Sequence, residues 1–252
     1  MNIITPRDAH IPGLRALWKA AFGDTDAFLD DFFRTAYAPA RCRCVVEDDS
    51  VTAALYWFGC SCGGAKLAYL YAVATDPAHR GRGLCRELIA DTLSHLASGG
   101  YQGALLVPQE PWLIDMYVRM GFAPCTAVTE FHTMAAERPI PARRVDAGEF
   151  ARLRRALLPP GGVIQEEENL RFLETQGALY AGENWLATAA GLDGMLWCPE
   201  FLGDPALAPG LVTALGYREG SFRVPGDGRP FAMFRPLVKD CPRPGHFGLA
   251  FD

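Results

Sequence analysis

The chain has 252 residues, which is enough for one large domain or two smaller ones. Half of the residues are hydrophobic and 21% are charged, so a packed core is expected. The net charge of -5 argues against a nucleic-acid partner bound through bulk charge, and no apolar run reaches the ~18 residues of a membrane span. The first residues lack the apolar core of a signal peptide, so we expect a cytoplasmic protein with reduced cysteines.

The first half of the chain predicts one mixed, mostly antiparallel sheet with helices on its faces, an α/β fold of the α+β mixed kind. A short strand precedes two amphipathic helices, and three strand-like runs follow them. A helix, a short buried strand, another helix and final strands complete the order. In chain order the elements are NII, a helix from Asp8 to Gly23, TDAFLDDFFRTAY, RCRCVVE, VTAALYWFG, KLAYLYAVAT, a helix after Gly83, GALLVP, PWLIDMYVRM and FAPCTAVTEFHTM.

The second half predicts a smaller α/β domain over residues 145–238, joined to a first domain (1–136) by a polar linker at 137–144 and followed by a tail at 239–252. Its predicted elements are a helix around 147–158, a helix beginning in QEEENLRFLE, two strands about the turn GEN, and then a strand, a helix and a strand. The glutamates of QEEENLRFLE are interpreted as helix-start charges. LRRAL repeats LRAL, and LGYREG echoes MGFAPC, which indicates a shrunken relative of the first domain.

Four cysteines occur in the pairs CRC and CSC, at Cys42, Cys44, Cys60 and Cys62. Zinc ligands are usually separated by two to four residues, whereas one residue separates the members of these pairs. A hairpin about DDS places Cys42 opposite Trp57, so the second pair lies beyond the ladder, roughly 10 Å away at ~3.3 Å per residue. We therefore expect buried thiols and no metal site.

The stretch DPAHRGRGLCRELIA, residues 76–90, combines two glycines and three arginines just before a predicted helix. The unpaired amides of a glycine turn and a helix start form a cradle for an anion, best suited to phosphate. Arg80, Arg82 and Arg86 add positive charge. The nucleotide-triphosphate loop requires Gly-Lys-Ser/Thr, which is missing here, and the dinucleotide fingerprint requires a third glycine where Arg86 stands.

The longer stretch YAVATDPAHRGRGLCRELI resembles the acyl-CoA-binding segment of the GCN5-related N-acetyltransferase (GNAT) superfamily. The family pattern Arg/Gln-x-x-Gly-x-Gly/Ala corresponds here to the run from Arg80 to Cys85, and Cys85 replaces the final Gly or Ala. DMYVRMGF, residues 115–122, is similar to the family's Leu-Tyr-x-x-x-Gly-Phe element. The order of elements over residues 1–134 matches the family fold.

The resemblance implies acetyl-CoA as the cosubstrate and a V-shaped notch where the strand KLAYLYAVAT splays away from GALLVP. Backbone groups of that strand would pair with the pantetheine arm, and the loop amides would hold the pyrophosphate. His79 is interpreted as a loop residue and not as a catalyst. The cofactor-binding residues implied are Tyr71, Ala72, Val73, His79, Arg80, Gly81, Arg82, Gly83, Leu84 and Cys85.

Tyr117 matches the family's general-acid tyrosine, which protonates the leaving thiolate. An attacking amine with a pKa near 10.4 must lose a proton, and the base stays open. Glu110 is a candidate for the base or for binding a cationic substrate. Glu130 and His132 alternate on a late strand and are candidates to face the notch, and water would serve equally well.

Two functions remain from the sequence. The first is an N-acetyltransferase that acts on the amine of a small molecule or a peptide, and the second is a noncatalytic acyl-CoA sensor or interaction module. The retained glycine loop and Tyr117 favour the enzyme. Trp112 and nearby aromatic residues also leave room for transfer of a longer acyl chain. No nucleic-acid or membrane partner is expected, and the sequence leaves the oligomeric state open.

Overall fold

The computed structural model describes residues 2–165 and 168–250. The helices are α1 (Ile11–Phe22), α2 (Asp26–Thr35), α3 (Leu84–Ser98), α4 (Pro111–Arg119), α5 (Ala147–Leu157), α6 (Glu168–Gln176) and α7 (Ala208–Ala214). The strands are β1 (Asn2–Ile4), β2 (Cys42–Glu47), β3 (Ser50–Cys62), β4 (Ala65–Thr75), β5 (Gly103–Leu106), β6 (Ala123–Pro124), β7 (Ala127–Met134), β8 (Arg143–Val145), β9 (Ile164–Gln165), β10 (Ala178–Gly182), β11 (Trp185–Leu192), β12 (Met195–Leu202), β13 (Glu219–Pro225), β14 (Arg229–Pro230) and β15 (Met233–Pro236). Within these ranges no helix combines the length and the apolar composition needed to cross a bilayer.

The chain forms two compact units, and neither is continuous in sequence. Among the described residues, the first unit comprises 2–106, 112–123 and 234–242, and the second comprises the rest. The predicted helix in QEEENLRFLE is observed as α6, although residues 166–167 of that stretch lie outside the described ranges. The expected boundaries, a first domain over residues 1–136 and a second over 145–238, stay a prediction.

Each unit is built on a mixed sheet, as the sequence predicts. The strand order is β1-β2-β3-β4-β5-β15-β6 in the first and β14-β7-β13-β12-β11-β10-β8 in the second. The antiparallel series β1 to β4 continues into a parallel pair, β4 with β5, and β12 with β13 is the parallel pair of the second sheet. In both units a strand, two helices and three antiparallel strands lead through one helix to the parallel strand. The second unit is thus consistent with a smaller domain of the same architecture.

The strands that follow α4 depart from the sequence prediction, which placed all of them in the first half. β6 stays in the first sheet, but β7 pairs with β13 along seven residues. β15 lies beside β5 instead, where a Cβ at Gly103 would come within 2.5 Å of the Phe234 ring. The alternation of apolar and polar residues along a strand determines which face is buried, but it does not determine which strand pairs with it. Nothing in the local sequence of β7 therefore identifies β13, about ninety residues away, as its partner.

The β2–β3 hairpin is one residue out of the predicted register. Its connection consists of Asp48 and Asp49 alone, both in the left-handed conformation that a two-residue type I′ turn requires. The shorter turn and one β-bulge place Cys42 opposite Tyr56 and not opposite Trp57. The prediction was wrong by one position in its counting, since a three-residue connection over DDS would itself pair Glu47 with Val51 and so Cys42 with Tyr56.

The cysteines are mainly core residues. All eight lie in the described ranges and none is disulfide-bonded. Burial raises the pKa of the Cys44 thiol to about 11, so this thiol is neutral at physiological pH. In the described part of the chain, no group of three His, Cys, Asp or Glu residues is arranged to hold a metal ion. The expected absence of a metal stays a prediction.

An aromatic core fills the space between the first two helices and the first sheet. The ring of Trp18 in α1 lies 4.6 Å from that of Phe32 in α2 and 5.2 Å from that of Tyr56 in β3. The same indole lies 5.7 Å from the ring of Tyr71 near the end of β4. Aromatic rings bury large apolar areas and dominate core energetics. The core therefore extends to the end of β4 and holds the Tyr71 side chain there.

The second unit encloses a buried ion pair. Arg154 of α5 donates to both carboxylate oxygens of Glu200 in β12, at 2.6 and 2.8 Å, and both side chains are 1% exposed. His246 Nε2 lies 3.6 Å from the same carboxylate. The predicted tail at 239–252 is therefore part of the fold over its described length, and residues 246–250 are buried.

Candidate functional site

The end of β4 carries an edge that β5 does not cover. The parallel register joins Leu67–Tyr69 to Gly103–Leu105, and β4 then continues to Thr75. Residues Tyr71–Val73, which the sequence predicts to contact a pantetheine arm, lie beyond that register and are partly exposed. An extended chain can pair with such an edge as an added strand. The uncovered edge lies where the sequence predicts the notch, and the splaying of the two strands stays a prediction.

Ala72 has a strained backbone. Its φ is +48°, in the left-handed region, and the β3–β4 ladder shifts register at this point. Among the described residues, the other non-glycine residues with positive φ are aspartates and one asparagine, all in turns. Those residue types tolerate this conformation, whereas an alanine does so only at a cost of about 1–3 kcal/mol. Strain of this kind is characteristic of functional sites.

The loop after β4 begins with a tight capped turn. Asp76 Oδ1 accepts a hydrogen bond from the Ala78 amide at 2.8 Å and lies 3.1 Å from His79 Nδ1. The residues between form a single 3₁₀ turn, Pro77–His79. His79 is thus bound to the cap of its own loop, which agrees with its interpretation as a loop residue.

Two left-handed glycines shape the remainder of the loop. Gly81 has φ +77° and Gly83 has φ +82°. A Cβ at Gly81 would meet no atom within 4 Å, and one at Gly83 would lie 3.6 Å from an Arg86 nitrogen. The conformation, and not a lack of space, therefore requires glycine at both positions.

The first turn of α3 has amides that no side chain caps. The first helical hydrogen bond runs from the Glu87 amide to the Gly83 carbonyl at 3.2 Å. By contrast, α2 and α5 are capped by Thr25 and Asp146, whose side chains accept from amides of the first turn. Uncapped amides at the positive end of a 15-residue helix attract an anion.

The three arginines of the loop have different surroundings. Arg82 donates to both oxygens of Glu47, at 2.9 and 3.0 Å. Arg80 donates from Nε to the Thr75 carbonyl at 3.4 Å. Arg86 is exposed in the first turn of α3. Sequence reasoning missed Glu47, because it lies 35 residues before Arg82 at the end of β2.

Tyr117 lies on α4 with its ring 6% exposed and 6.0 Å from the Phe122 ring. Its backbone carbonyl accepts from the amides of Met120 and Phe122, both at 3.0 Å, so the end of the helix is fixed. Burial raises the pKa of the phenol well above 10, and the nearby Cys85 thiol adds to the shift. Burial also raises the pKa of Cys85 to about 11. Both groups are protonated at neutral pH.

The residues before and at the start of α4 are open to solvent. Glu110 directly precedes the helix and is exposed, and Trp112 is 68% exposed. The structure therefore places Glu110 on the surface, and its role as a base or as a substrate contact stays a prediction.

The other two candidates for the base belong to ion pairs on β7, in the second unit. Glu130 accepts from Arg223 at 2.9 Å and from Arg229 at 2.6 and 3.1 Å. Burial alone would raise the pKa of Glu130, but hydrogen bonds from the two arginines outweigh it and lower the pKa. His132 Nε2 lies 3.0 Å from a Glu219 oxygen. β7, which carries both residues, belongs to the second sheet, whereas the glycine loop follows β4 of the first sheet.

The second unit repeats the capped turn but not the glycines. Asp204 Oδ1 accepts from the Ala206 amide at 2.9 Å, just as Asp76 does in the first unit. The 3₁₀ turn then ends at Leu207, and α7 begins at Ala208 without an intervening loop. The repeated Asp-Pro-Ala tripeptide was a readable signal that sequence reasoning missed. Among the described residues, only the first unit has a glycine loop between its capped turn and the following helix.

An uncovered, strained strand end next to a glycine loop that opens a helix is the arrangement that the resemblance to the GNAT superfamily predicts. A family model described as an acetyltransferase (GNAT) domain matches residues 2–125, and this part of the chain belongs to that family. No curated protein matches the chain.

Solved structures share the fold over both units. A GCN5-related N-acetyltransferase from Kribbella flavida is 18% identical, with a TM-score of 0.72 over 93% of this chain and 70% of that one. One from Anabaena variabilis is 15% identical, with a TM-score of 0.70 over 94% and 73%. One from Sphaerobacter thermophilus is 15% identical, with a TM-score of 0.56 over 97% and 96%. At these identities the likeness concerns the fold alone.

Proposed function

We propose that the first unit is an acetyl-CoA-dependent N-acetyltransferase that acetylates a primary amine of a small molecule or a peptide. The observation that carries this proposal is the junction of the uncovered β4 edge with the glycine loop of α3. In the proposal, the backbone of Tyr71–Val73 pairs with the pantetheine arm. The amides from His79 to Cys85 surround the pyrophosphate, and Arg80 and Arg86 add positive charge.

The proposed chemistry is direct transfer. The neutral amine nitrogen forms a bond to the thioester carbonyl carbon, and the bond from that carbon to sulfur breaks. Tyr117 donates a hydrogen bond to the sulfur as negative charge develops, because its raised pKa keeps the phenol protonated. The amine's proton leaves to a base. The lowered pKa of Glu130 makes it a poor base, which favours water or a group of the substrate.

Calorimetric titration with CoA and an acetyl-transfer screen test this proposal. We expect one CoA per chain, because the second unit has no glycine loop, and a dissociation constant in the micromolar range. Saturation at about 100 times that constant raises the stability by about 2.7 kcal/mol. The screen covers primary amines, including polyamines, aminoglycosides and lysine peptides, and detects the free CoA thiol.

Two results would contradict the proposal in different ways. Absence of CoA binding by the folded protein would reject the cofactor site. Tight CoA binding without thiol release or acetylated product across the amine panel would instead indicate a noncatalytic acyl-CoA sensor.

A further inference from the structure

Glu47 and Arg82 form a two-point ion pair between the β2–β3 turn and the glycine loop. Both terminal nitrogens of the guanidinium face both oxygens of the carboxylate, at 2.9 and 3.0 Å. This parallel arrangement is the strongest geometry available to an arginine–carboxylate pair. It fixes the direction of Arg82 as well as its position.

The same hairpin also holds the beginning of the loop. The Asp76 amide donates to the Thr52 carbonyl of β3 at 2.9 Å. Between that bond and α3, Gly81 and Gly83 supply the least restricted backbone of the loop. Arg82 lies between them, so its two-point pair with Glu47 anchors this portion of the loop to β2, whereas Arg80 makes one longer bond to the Thr75 carbonyl at 3.4 Å.

Arg82 therefore has two mutually exclusive roles, as a ligand of the phosphates or as an anchor of the loop. A guanidinium that binds a carboxylate through both terminal nitrogens has already used its matched face. We propose that Glu47 is a positioning residue for acyl-CoA: through Arg82 it holds the loop amides in their binding conformation, and Arg82 itself does not bind the phosphates. This inference rests on the proposed CoA site.

The two roles predict opposite effects when Glu47 is neutralised. If Arg82 is an anchor, Glu47→Gln loosens the loop and weakens CoA binding. If Arg82 is a phosphate ligand restrained by Glu47, the same substitution releases it and strengthens binding. The pair is also accessible enough to be replaced without loss of the fold, since the Arg82 side chain is 51% exposed and Glu47 18% exposed.

The experiment is a double-mutant cycle with Glu47→Gln, Arg82→Gln and both together, measured as the CoA dissociation constant. We expect each single variant to weaken CoA about two- to fivefold, the range for accessible ion pairs, and the double variant to be no weaker than either. Glu149→Gln is the matched control, because it breaks an exposed Arg–Glu pair of the same geometry with Arg143, at 2.8 and 2.9 Å. The control is expected to bind CoA like the wild type.

A kinetic readout separates positioning from general damage to the protein. We expect Glu47→Gln to raise the KM for acetyl-CoA without changing kcat, and to leave kcat/KM for S-acetylpantetheine unchanged, because that substrate has no pyrophosphate. Tighter CoA binding by Glu47→Gln, or a loss in Arg82→Gln far greater than in Glu47→Gln, would overturn the inference.

Hydrogen exchange of the ligand-free protein keeps the inference testable if the proposed function fails. We expect faster exchange of the amides of residues 80–84 in Glu47→Gln and no change in Glu149→Gln. Unchanged exchange in the first variant would reject the anchoring role whether or not the wild type binds CoA. Absence of CoA binding by the wild type would reject the proposed function alone.

Discussion

Replacement of Tyr117 by phenylalanine tests the proposed donor to the thiolate with little effect on packing. The ring is 6% exposed and remains in place against Phe122. The hydroxyl makes no hydrogen bond among the described residues, so its removal leaves no described group unsatisfied. We therefore expect the melting temperature of Tyr117→Phe to stay within about 2 °C of the wild type.

The expected loss of activity follows from the environment of the phenol. Full general-acid catalysis is worth about 10²- to 10⁴-fold. Burial raises the pKa of Tyr117 above 10, whereas a thiol titrates near 8.5, so complete proton transfer to the thiolate is unfavourable by at least about 1.5 pKa units. A hydrogen bond to the developing charge remains, worth about 1.5–3 kcal/mol. Since sulfur is a weak acceptor, we expect kcat to fall about 10- to 30-fold.

Single-turnover kinetics with the best amine from the screen would measure this effect on the chemical step. The affinity for acetyl-CoA is expected to stay unchanged, because the hydrogen bond strengthens only as the carbon–sulfur bond breaks. The ratio of wild-type to variant rates should also be constant from about pH 6 to pH 9, since the raised pKa keeps the phenol protonated there. A rate within twofold of the wild type, with chemistry rate-limiting, would refute the role of Tyr117 as donor.

Two further predictions concern the loop and the second unit. Gly83→Val forces a β-branched residue into φ +82° and is expected to remove most CoA binding. The control Gly64→Val imposes the same strain at φ +83° in another turn and should leave CoA binding intact. Calorimetric titration compares the two variants, and an equal loss of binding in both would contradict the loop assignment. In the second unit, burial alone would raise the pKa of Glu200, but the ion pair with Arg154 outweighs burial and lowers the pKa to about 2. The pair therefore stabilises the folded state fully above about pH 5, and this stabilisation is lost as the pH falls towards 2. Glu200→Gln removes the charge that compensates the buried guanidinium and should lower the free energy of unfolding in urea at pH 7 by about 3–5 kcal/mol while flattening its acid dependence. A loss below about 1 kcal/mol would show that the pair contributes little.

The ion pairs of β7 narrow the search for the base. Sequence alternation alone made Glu130 and His132 candidates to face the notch. The structure shows a carboxylate held by Arg223 and Arg229, whose pKa is lowered, and a histidine beside Glu219. A strand's alternation reports which residues share a face, but the charges on that face come from neighbouring strands that the alternation does not reveal.

Local physical chemistry determined much of this protein from its sequence. The apolar periodicities of α1, α3 and α5, the glycines at 81 and 83, and the order of helices and strands are properties of short segments. Backbone conformation and helix amphipathicity depend on residues within a few positions of one another, so both are readable without a tertiary structure. The anion cradle belongs to this class, because a turn and a helix start suffice to build it.

Tertiary structure alone decided how distant segments meet. It placed β7 in the second sheet and β15 in the first, strained Ala72 at the end of β4, and joined Glu47 to Arg82. Each of these depends on partners tens of residues apart, selected by the packing of the whole chain and not by any local preference. The glycine loop could therefore be recognised from its own residues, whereas the groups that contact it from other strands could be found only once the sheets were assembled.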